Sequence, residues 1–293
     1  MRKRFYDEEC QEAFYHLIIR VPEHTYGQTE FAFQEDHKLY FENLLFKLEG
    51  IYCLKMVSYC IMSTHVHIIL SRDNNAHKEL SLIETAKRYK KYYKLKVAPD
   101  ARCAAVRKFR IQLNNLSEFM RDLQRRFTFW YNNKSGIERH GSLWHPRFKS
   151  VSLTSLKALL ECMKYVELNP VRAKMVKAPG EYRFCSWGHI CKSDPRGIFL
   201  KRRIVAGIRY FKTLENKHLS DNKIFRHYAG DLEALAYYVK NNKNVKSIEP
   251  YVKSHLLSNS KLWSNLKAIG GEHYPVGQSY GNRRPRTIMF RME

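Results

Sequence analysis

The chain has 293 residues, of which 44% are hydrophobic and 13% aromatic, a composition that excludes a disordered protein and allows a large core. Its 52 Lys and Arg against 28 Asp and Glu leave a net charge of +24, which favours nucleic acid over an anionic membrane as the partner. The sequence has neither the roughly 18 to 20 consecutive apolar residues of a membrane span nor a signal-peptide core. We therefore expect a cytoplasmic protein with no membrane partner.

Seven cysteines are scattered along the sequence without a CxxC pair, which predicts reduced, mostly buried thiols and no disulfide framework. Three residues, Cys185, His189 and Cys191, form the one cluster. Their spacing matches no common zinc module. We therefore favour ordinary packing beside Trp187 over a zinc site for this cluster.

The first 70 residues predict a strand, a helix and two further strands, over residues 13–21, 36–48, 52–62 and 65–70. Branched and aromatic residues mark the strands, and leucines at near-helical spacing mark the helix. Pro22 ends the first strand, and Gly50 ends the helix. Only Ser63 and Thr64 separate the last two strands, so these form a hairpin.

Residues 73–114 interrupt this pattern with a basic, tyrosine-rich segment that we expect to be helical. Its centre reads Lys-Arg-Tyr-Lys-Lys-Tyr-Tyr-Lys-Leu-Lys. A solvated helix face explains this run as well as a helix that contacts phosphates and stacks bases on its tyrosines. Both interpretations stay open at the level of sequence.

A second helix, a strand and a third helix follow the basic segment. The apolar stripe from Leu116 to Trp130 predicts a helix, and the other face of this helix carries Arg121, Arg125 and Arg126. The strand covers residues 147–153 and the third helix residues 155–169. We expect Pro170 to end that helix, because proline cannot continue the hydrogen-bond ladder.

This order of elements predicts an α+β fold: a ferredoxin-like antiparallel sheet (split βαβ) with helices on one face, followed by one more helix. Residues 1–193 would form this domain, with a basic helical insertion at about 73–114. From residue 194 to 293 the sequence becomes rich in Lys and Asn. We expect a separate, basic and mainly helical extension there.

His65 and His67 are the most informative pair of residues. Alternate residues of a strand face the same side, so two imidazoles can approach one cation. Alone, such histidines are more often packed core residues than metal ligands. Tyr165 and Asn169 lie one turn apart on the third helix, away from its apolar stripe. The histidine pair lacks a third metal ligand and a reacting group. The amide oxygen of Asn169 can bind a hard cation, and a tyrosine can act as a nucleophile.

Four segments in this order carry a resemblance to a known family. They read Tyr-His-Leu-Ile-Ile-Arg near the start, Met-Ser-Thr-His-Val-His-Ile-Ile-Leu at 62–70, Gly-Ser-Leu-Trp-His-Pro-Arg-Phe-Lys-Ser at 141–150, and Lys-Tyr-Val-Glu-Leu-Asn-Pro-Val-Arg-Ala at 164–173. Together they closely resemble the single-tyrosine HUH transposases, above all the REP-associated tyrosine transposases (REP: repetitive extragenic palindromic). The resemblance covers roughly residues 14–187.

The resemblance implies a role for each candidate residue. His65 and His67 would bind Mg²⁺ or Mn²⁺, Asn169 would complete the metal site, and Tyr165 would be the nucleophile. The implied activity is cleavage and rejoining of single-stranded DNA with hairpin structure through a 5′-phosphotyrosine intermediate. As DNA-binding residues we select Arg121, Arg125, Arg126, Arg147, Lys149 and Arg172.

Two other classes of function stay open. One is a non-catalytic DNA-binding protein or repressor on the same fold. The other is a metal-dependent hydrolase whose histidines activate water without a covalent link to the protein. The sequence leaves the choice between monomer and homodimer undecided, and we expect the protein to be associated with the nucleoid.

Overall fold

The structure, a computed structural model, describes residues 11–21, 33–135, 142–144, 148–214 and 219–241. The strands of these residues are β1 (Glu12–Arg20), β2 (Leu54–Ile61), β3 (His65–Asp73) and β4 (Lys149–Leu153). They form one sheet in the order β2-β3-β1-β4, and every neighbouring pair is antiparallel. β3 therefore separates β1 from β2, and the central strands are β1 and β3.

The helices of the described residues are α1 (Glu35–Glu49), α2 (Ala76–Glu79), α3 (Leu82–Tyr93), α4 (Ala104–Gln112), α5 (Leu116–Ser135), α6 (Leu156–Arg172), α7 (Ser186–Lys192), α8 (Pro195–Leu214) and α9 (Asp221–Asn241), with a short 3₁₀ turn at Pro179–Glu181. The mixed α+β class predicted from the sequence is confirmed. None of these helices is long and apolar enough to cross a membrane.

Pro170 does not end α6, which continues to Arg172. The helix ends instead with Lys174 in the left-handed conformation, at φ 56°. The backbone N–H of Lys174 donates to the carbonyl of Val171, and that of Met175 donates to the carbonyl of Pro170, each at 2.9 Å. This is a Schellman motif. Proline is tolerated here because it removes a single hydrogen bond in the last turn, where the ladder is closing anyway.

Helices cover both faces of the sheet, so the expectation of helices on one face is wrong. Ser58 and Tyr59 are neighbours in β2, and their side chains point to opposite faces. Tyr59 Oη donates to Glu42 of α1, and Ser58 Oγ donates to Glu167 of α6, each at 2.7 Å. α1 and α6 therefore lie on opposite faces. Both sides of β1 and β3 are largely apolar and buried, and each needs a cover.

α8 and α9 pack into the same hydrophobic core as the sheet, so residues 194–241 are not the separate appendage that we expected. Phe14 of β1 packs against Tyr210 and Phe211 of α8, with ring centroids 5.7 and 5.2 Å apart. The buried Lys164 of α6 donates to Asp231 of α9 at 2.5 Å. Contacts from both sides of residue 194 thus stabilise one core.

The six cysteines of the described residues are free thiols, but only Cys60 and Cys185 are buried. The expectation of mostly buried thiols is therefore wrong, although these six form no disulfide. In the cluster considered for zinc, His189 lies between two carboxylates, 3.0 Å from Glu42 and 2.6 Å from Asp194. These ion pairs give His189 a structural role in joining α7 to α1.

The packing of α8 predicts that a core truncation in this helix destabilises the whole protein. Ile204→Ala, at a fully buried position, should lower the free energy of unfolding by about 2–5 kcal/mol in urea titrations. Ile198→Ala in the same helix, at a side chain 48% exposed, is the matched control and should cost less than about 1 kcal/mol. If Ile204→Ala leaves the free energy of the main urea unfolding transition unchanged, α8 unfolds separately from the rest of the protein.

Candidate active site

The pairing of β1 with β3 places polar residues side by side on the face that α6 covers. The antiparallel register pairs Arg20 with His65 and Ile18 with His67, and directly paired residues share a face. His16 lies two residues from Ile18 in β1, on that same face. The two predicted histidines therefore stand beside His16 and Arg20, to which we assigned no role from the sequence.

α6 crosses this face and brings Tyr165 to the histidines. The ring of Tyr165 lies 5.4 Å from that of His67 and 6.3 Å from that of His16, between centroids, and His65 and His67 are 4.9 Å apart. Asn169 Nδ2 donates to the backbone carbonyl of Tyr165 at 3.0 Å. The Oδ1 atom of this amide is the one suited to a cation. The nucleophile and ligands implied by the family resemblance thus lie together.

Glu167 fixes the position of α6 on the sheet. Its buried carboxylate accepts from Ser58 Oγ at 2.7 Å and from the backbone N–H of Trp187 at 2.9 Å. A bulge in β2 between Met56 and Ser58 turns Ser58 to this face. Glu167 is thus bonded to β2 and α7 and is not directed at the histidines. Residues two positions apart on a helix, such as Tyr165 and Glu167, point in different directions.

All three histidines are neutral at neutral pH because His16 and His67 are buried and His65 is partly buried. Desolvation lowers the pKa of His16 and of His65 to about 4, and lowers the pKa of His67 well below its ordinary value. The positive charge of Arg20 adds to this effect at His65 and His67. A neutral imidazole keeps a lone pair, which is the form that binds a metal.

The hydrogen bond between His16 and His67 bears on which nitrogen of His67 can bind a metal. His16 Nε2 and His67 Nδ1 are 2.9 Å apart, and both rings are buried. His67 Nε2 is buried and has no hydrogen-bond partner among the described residues. If His67 donates its Nδ1–H to His16, the lone pair lies on this unpartnered Nε2. Metal-binding histidines almost always donate their second N–H in this way.

The donor set fits a divalent cation only if Asn169 takes part. In the part of the chain that the structure describes, no group of three or more His, Cys, Asp or Glu is placed to hold a metal. Two imidazoles and the amide oxygen of Asn169 would supply three ligands. Oxygen atoms of water or of a phosphate would complete the coordination of Mg²⁺ or Mn²⁺.

Cationic side chains surround Tyr165. The guanidinium carbon of Arg172 lies 5.1 Å from the centroid of the Tyr165 ring, and Arg20 Nε is buried without a hydrogen-bond partner among the described residues. Burial raises the pKa of Tyr165 above its ordinary value, and Arg172, Arg20 and Asn169 offset only part of this increase. Lys149, exposed at the start of β4, pairs in register with Ile18. Guanidinium groups beside a phenol suit a bound phosphate.

The other residues selected for DNA contact do not join this site. They are the three arginines of α5, namely Arg121, Arg125 and Arg126. The first two form ion pairs with acidic residues three positions earlier, and the third lies over the ring of Tyr92 at 4.5 Å. α5 packs against α1, on the side of the sheet away from α6. Arg147 lies outside the described residues.

The similarity of this chain to known proteins is distant. No family model matches the chain, and no curated protein matches it. A solved structure of a REP-associated tyrosine transposase bound to a REP hairpin is similar with a TM-score of 0.40 and 12% identity, over 64% of this chain and 83% of that chain. A likeness at this level assigns no activity. The function therefore has to be argued from the site.

Replacing His16 tests its role in orienting His67. His16→Met fills a similar volume without an acceptor, and it should weaken Mn²⁺ binding by roughly 10- to 100-fold in calorimetric titrations. His16→Gln, whose amide oxygen can accept from His67 Nδ1–H, should bind Mn²⁺ within a few-fold of the native protein. Equal affinities for Mn²⁺ in the native protein and in His16→Met would contradict this role, provided that both unfold at the same urea concentration.

The Glu167 carboxyl predicts a pH dependence of stability. Burial raises its pKa to about 7 from an ordinary value near 4.5. At pH values between these two pKa values, the carboxyl is protonated in the folded protein and ionised in the unfolded chain. The free energy of unfolding therefore falls as the pH rises through this range. Glu167→Gln removes the charge, while its amide oxygen can accept from the Trp187 N–H and its NH₂ group can donate to Ser58 Oγ. It should raise the free energy of unfolding at pH 8 relative to pH 5 by up to about 3 kcal/mol.

The matched control is Glu79→Gln, at an exposed carboxylate of α2. It should leave the pH dependence of the unfolding free energy unchanged. Urea titrations of the three proteins at the two pH values give the comparison. If the difference in unfolding free energy between the native protein and Glu167→Gln is the same at both pH values, the pKa of this carboxyl is not raised and the prediction is wrong.

Proposed function

We propose that this protein is a metal-dependent single-stranded DNA endonuclease and strand transferase of the transposase type, acting through Tyr165 on a ferredoxin-like split βαβ sheet. The observation that carries the proposal is the approach of Tyr165 to the histidine pair, with 5.4 Å between the rings of Tyr165 and His67. A phenol, neutral imidazoles and two guanidinium groups in one place suit the transfer of a phosphodiester. The four ordered motifs that resemble the REP-associated tyrosine transposases support the same chemistry.

We assign the metal site to His65, His67 and Asn169. The unpartnered Nε2 of His67 supports this assignment, because a buried ring nitrogen without a hydrogen bond is costly unless something binds it. Mg²⁺ or Mn²⁺ bound there would polarise the scissile phosphate and offset the negative charge that develops on its oxygens. His16 would hold His67 in the ligating tautomer.

The chain's own residues carry the transfer step. Tyr165 releases its phenolic proton to solvent and Oη forms a bond to phosphorus while the bond from phosphorus to the 3′ oxygen breaks. The leaving 3′ oxygen takes up a proton from solvent, which leaves a 5′-phosphotyrosine and a free 3′ hydroxyl. Arg172 and Arg20 favour the deprotonated phenol, and they are placed to neutralise the phosphate that it attacks. The phosphotyrosine preserves one phosphodiester. A second 3′ hydroxyl can therefore reverse the step and rejoin DNA without ATP.

The substrate that we propose is single-stranded DNA with hairpins formed by palindromic repeats, which would place the protein at the nucleoid. A non-catalytic DNA-binding protein on this fold is the alternative. Such a protein would need only the basic surface. This alternative does not explain why the unpartnered nitrogen of His67 lies beside Tyr165. A hydrolase that activates water at the histidines gives no reason for the two arginines around the phenol.

Incubation with labelled single-stranded hairpin DNA and Mn²⁺ tests the mechanism. The native protein should form an adduct with DNA that survives denaturation, and Tyr165→Phe should form none, because the hydroxyl that bonds to phosphorus is missing. Tyr237→Phe, at a tyrosine 60% exposed on α9, is the control and should form the adduct as the native protein does.

Two results would overturn the assignment of Tyr165. One is an adduct of undiminished yield with Tyr165→Phe, and the other is cleavage by the native protein without any adduct. DNA binding without cleavage in Mg²⁺, in Mn²⁺ or in other divalent metals would favour the non-catalytic alternative. Absence of the adduct when EDTA is present from the start, and its formation when excess Mn²⁺ is then added, would support the dependence on metal.

A further inference from the structure

The segment between β3 and α5 concentrates the positive charge of the protein. Residues 82–112 contain ten Lys or Arg and two Asp or Glu, a net charge of +8 out of +24 for the chain. Two of the ten have structural roles, because Arg88 donates to the carbonyl of Ile51 at 2.9 Å and Arg110 to that of His77 at 2.6 Å. The other eight are exposed and are termed here the insertion cations: Lys87, Lys90, Lys91, Lys94, Lys96, Arg102, Arg107 and Lys108.

The insertion cations are not neutralised by the protein's own carboxylates. None of them forms an ion pair within the described residues, whereas exposed arginines elsewhere do. Arg121, Arg125 and Arg183 each lie beside an acidic side chain. A cluster of uncompensated cations creates a positive potential that attracts a polyanion from outside the protein.

Five of the eight insertion cations lie on α3 and α4, and these helices are rigidly attached to the body of the protein. Phe109 of α4 packs between Tyr89 and Tyr92 of α3, with ring centroids 5.2 and 5.1 Å away. Tyr92 Oη donates to Asp122 of α5, and Arg88 ties α3 to the end of α1. The cations are therefore presented on a fixed surface, and binding does not have to order these helices first.

Two of the three tyrosines of α3 turn inward, which leaves one exposed ring for the stacking interpretation drawn from the sequence. Tyr92 is buried and Tyr89 is partly buried, whereas Tyr93 is 49% exposed and packs on Tyr89 with 4.4 Å between ring centroids. A surface that binds single strands uses exposed aromatic side chains as stacking platforms for successive bases. The backbone of a duplex needs only cations along its phosphates.

An anionic membrane fits this surface less well than a duplex does. A helix that lies in a membrane interface buries an apolar face in the lipid. The apolar side of α3 is already occupied by Phe109. The exposed apolar residues of the segment are spread over the two ends of α3, the loop after it and the end of α4, namely Ile83, Tyr93, Leu95, Val97 and Ile111.

We infer that the insertion cations bind the phosphate backbone of duplex DNA, at a place separate from the site of cleavage. His65 and Asp73 are the two ends of β3 and lie about 26 Å apart at 3.3 Å per residue, and the insertion follows the far end. The choice of DNA over other polyanions rests on the proposed function. In a hairpin substrate, the duplex that this surface would contact is the stem.

A matched pair of charge variants tests the inference. The insertion variant combines Lys87→Gln, Lys90→Gln, Lys91→Gln and Arg107→Gln. The control variant removes the same charge at exposed positions elsewhere, with Lys177→Gln, Lys192→Gln, Lys223→Gln and Arg226→Gln. Fluorescence anisotropy with a labelled blunt duplex, in EDTA and over a range of salt concentrations, gives the affinities without cleavage.

The insertion variant should bind the duplex at least about tenfold more weakly than the native protein, and the control variant within about threefold. The slope of log affinity against log salt should fall by about 0.9 for each phosphate that the insertion variant no longer neutralises. Equally weakened binding in both variants would show that net charge alone acts, and would overturn the inference. So would a greater weakening of binding to single strands, or to anionic vesicles, than to the duplex.

The adduct assay separates this inference from the proposed function. On single-stranded DNA without a stem, at saturating concentration, the insertion variant should form the Tyr165 adduct as fast as the native protein. If the native protein forms no adduct while the insertion variant binds the duplex more weakly, the catalytic proposal fails and the duplex surface stands. If the adduct forms and the insertion variant binds duplex like the native protein, the duplex surface fails alone.

Discussion

The register of β1 against β3 is the constraint on which the rest of the candidate site depends. It pairs Arg20 with His65 and Ile18 with His67, and it leaves His16 within hydrogen-bond distance of His67. If the pairing shifted by one residue, the side chains of one of the two strands would all move to the opposite face of the sheet. Burial of apolar residues on both faces of the central strands sets the register, so core packing positions the polar site.

The position of α6 follows from contacts on several sides. Glu167 bonds it to β2 and α7, Lys164 bonds it to α9, and apolar residues such as Leu159 fill the space above the sheet. Burying two charged groups in one helix costs desolvation free energy, which their partners offset. The result is a tyrosine held on a rigid helix against a strand, an arrangement suited to chemistry that tolerates little misplacement.

Much of the fold could be predicted because its elements have strong local patterns. The apolar stripe of α5 and the branched and aromatic residues of β1 and β3 are properties of short windows, and the structure confirms these elements. The errors have two causes, a local backbone motif and a contact between distant segments. Pro170 stays inside α6 because a Schellman motif at Lys174 closes the helix, and α8 joins the core through Phe14, a residue far away in the sequence.

The sequence by itself determined the net charge and most of the element types, because spacing within a strand or helix decides which residues share a face. The histidine pair and Tyr165 were selected from it through the four motifs that carry the family resemblance. The tertiary structure alone decided that His16 bonds to His67, that Arg20 joins Arg172 near Tyr165, and that Tyr89 and Tyr92 of α3 turn inward while its lysines stay exposed. These facts depend on strand register and on helix packing between distant segments. Such contacts have no signature in any local window of sequence.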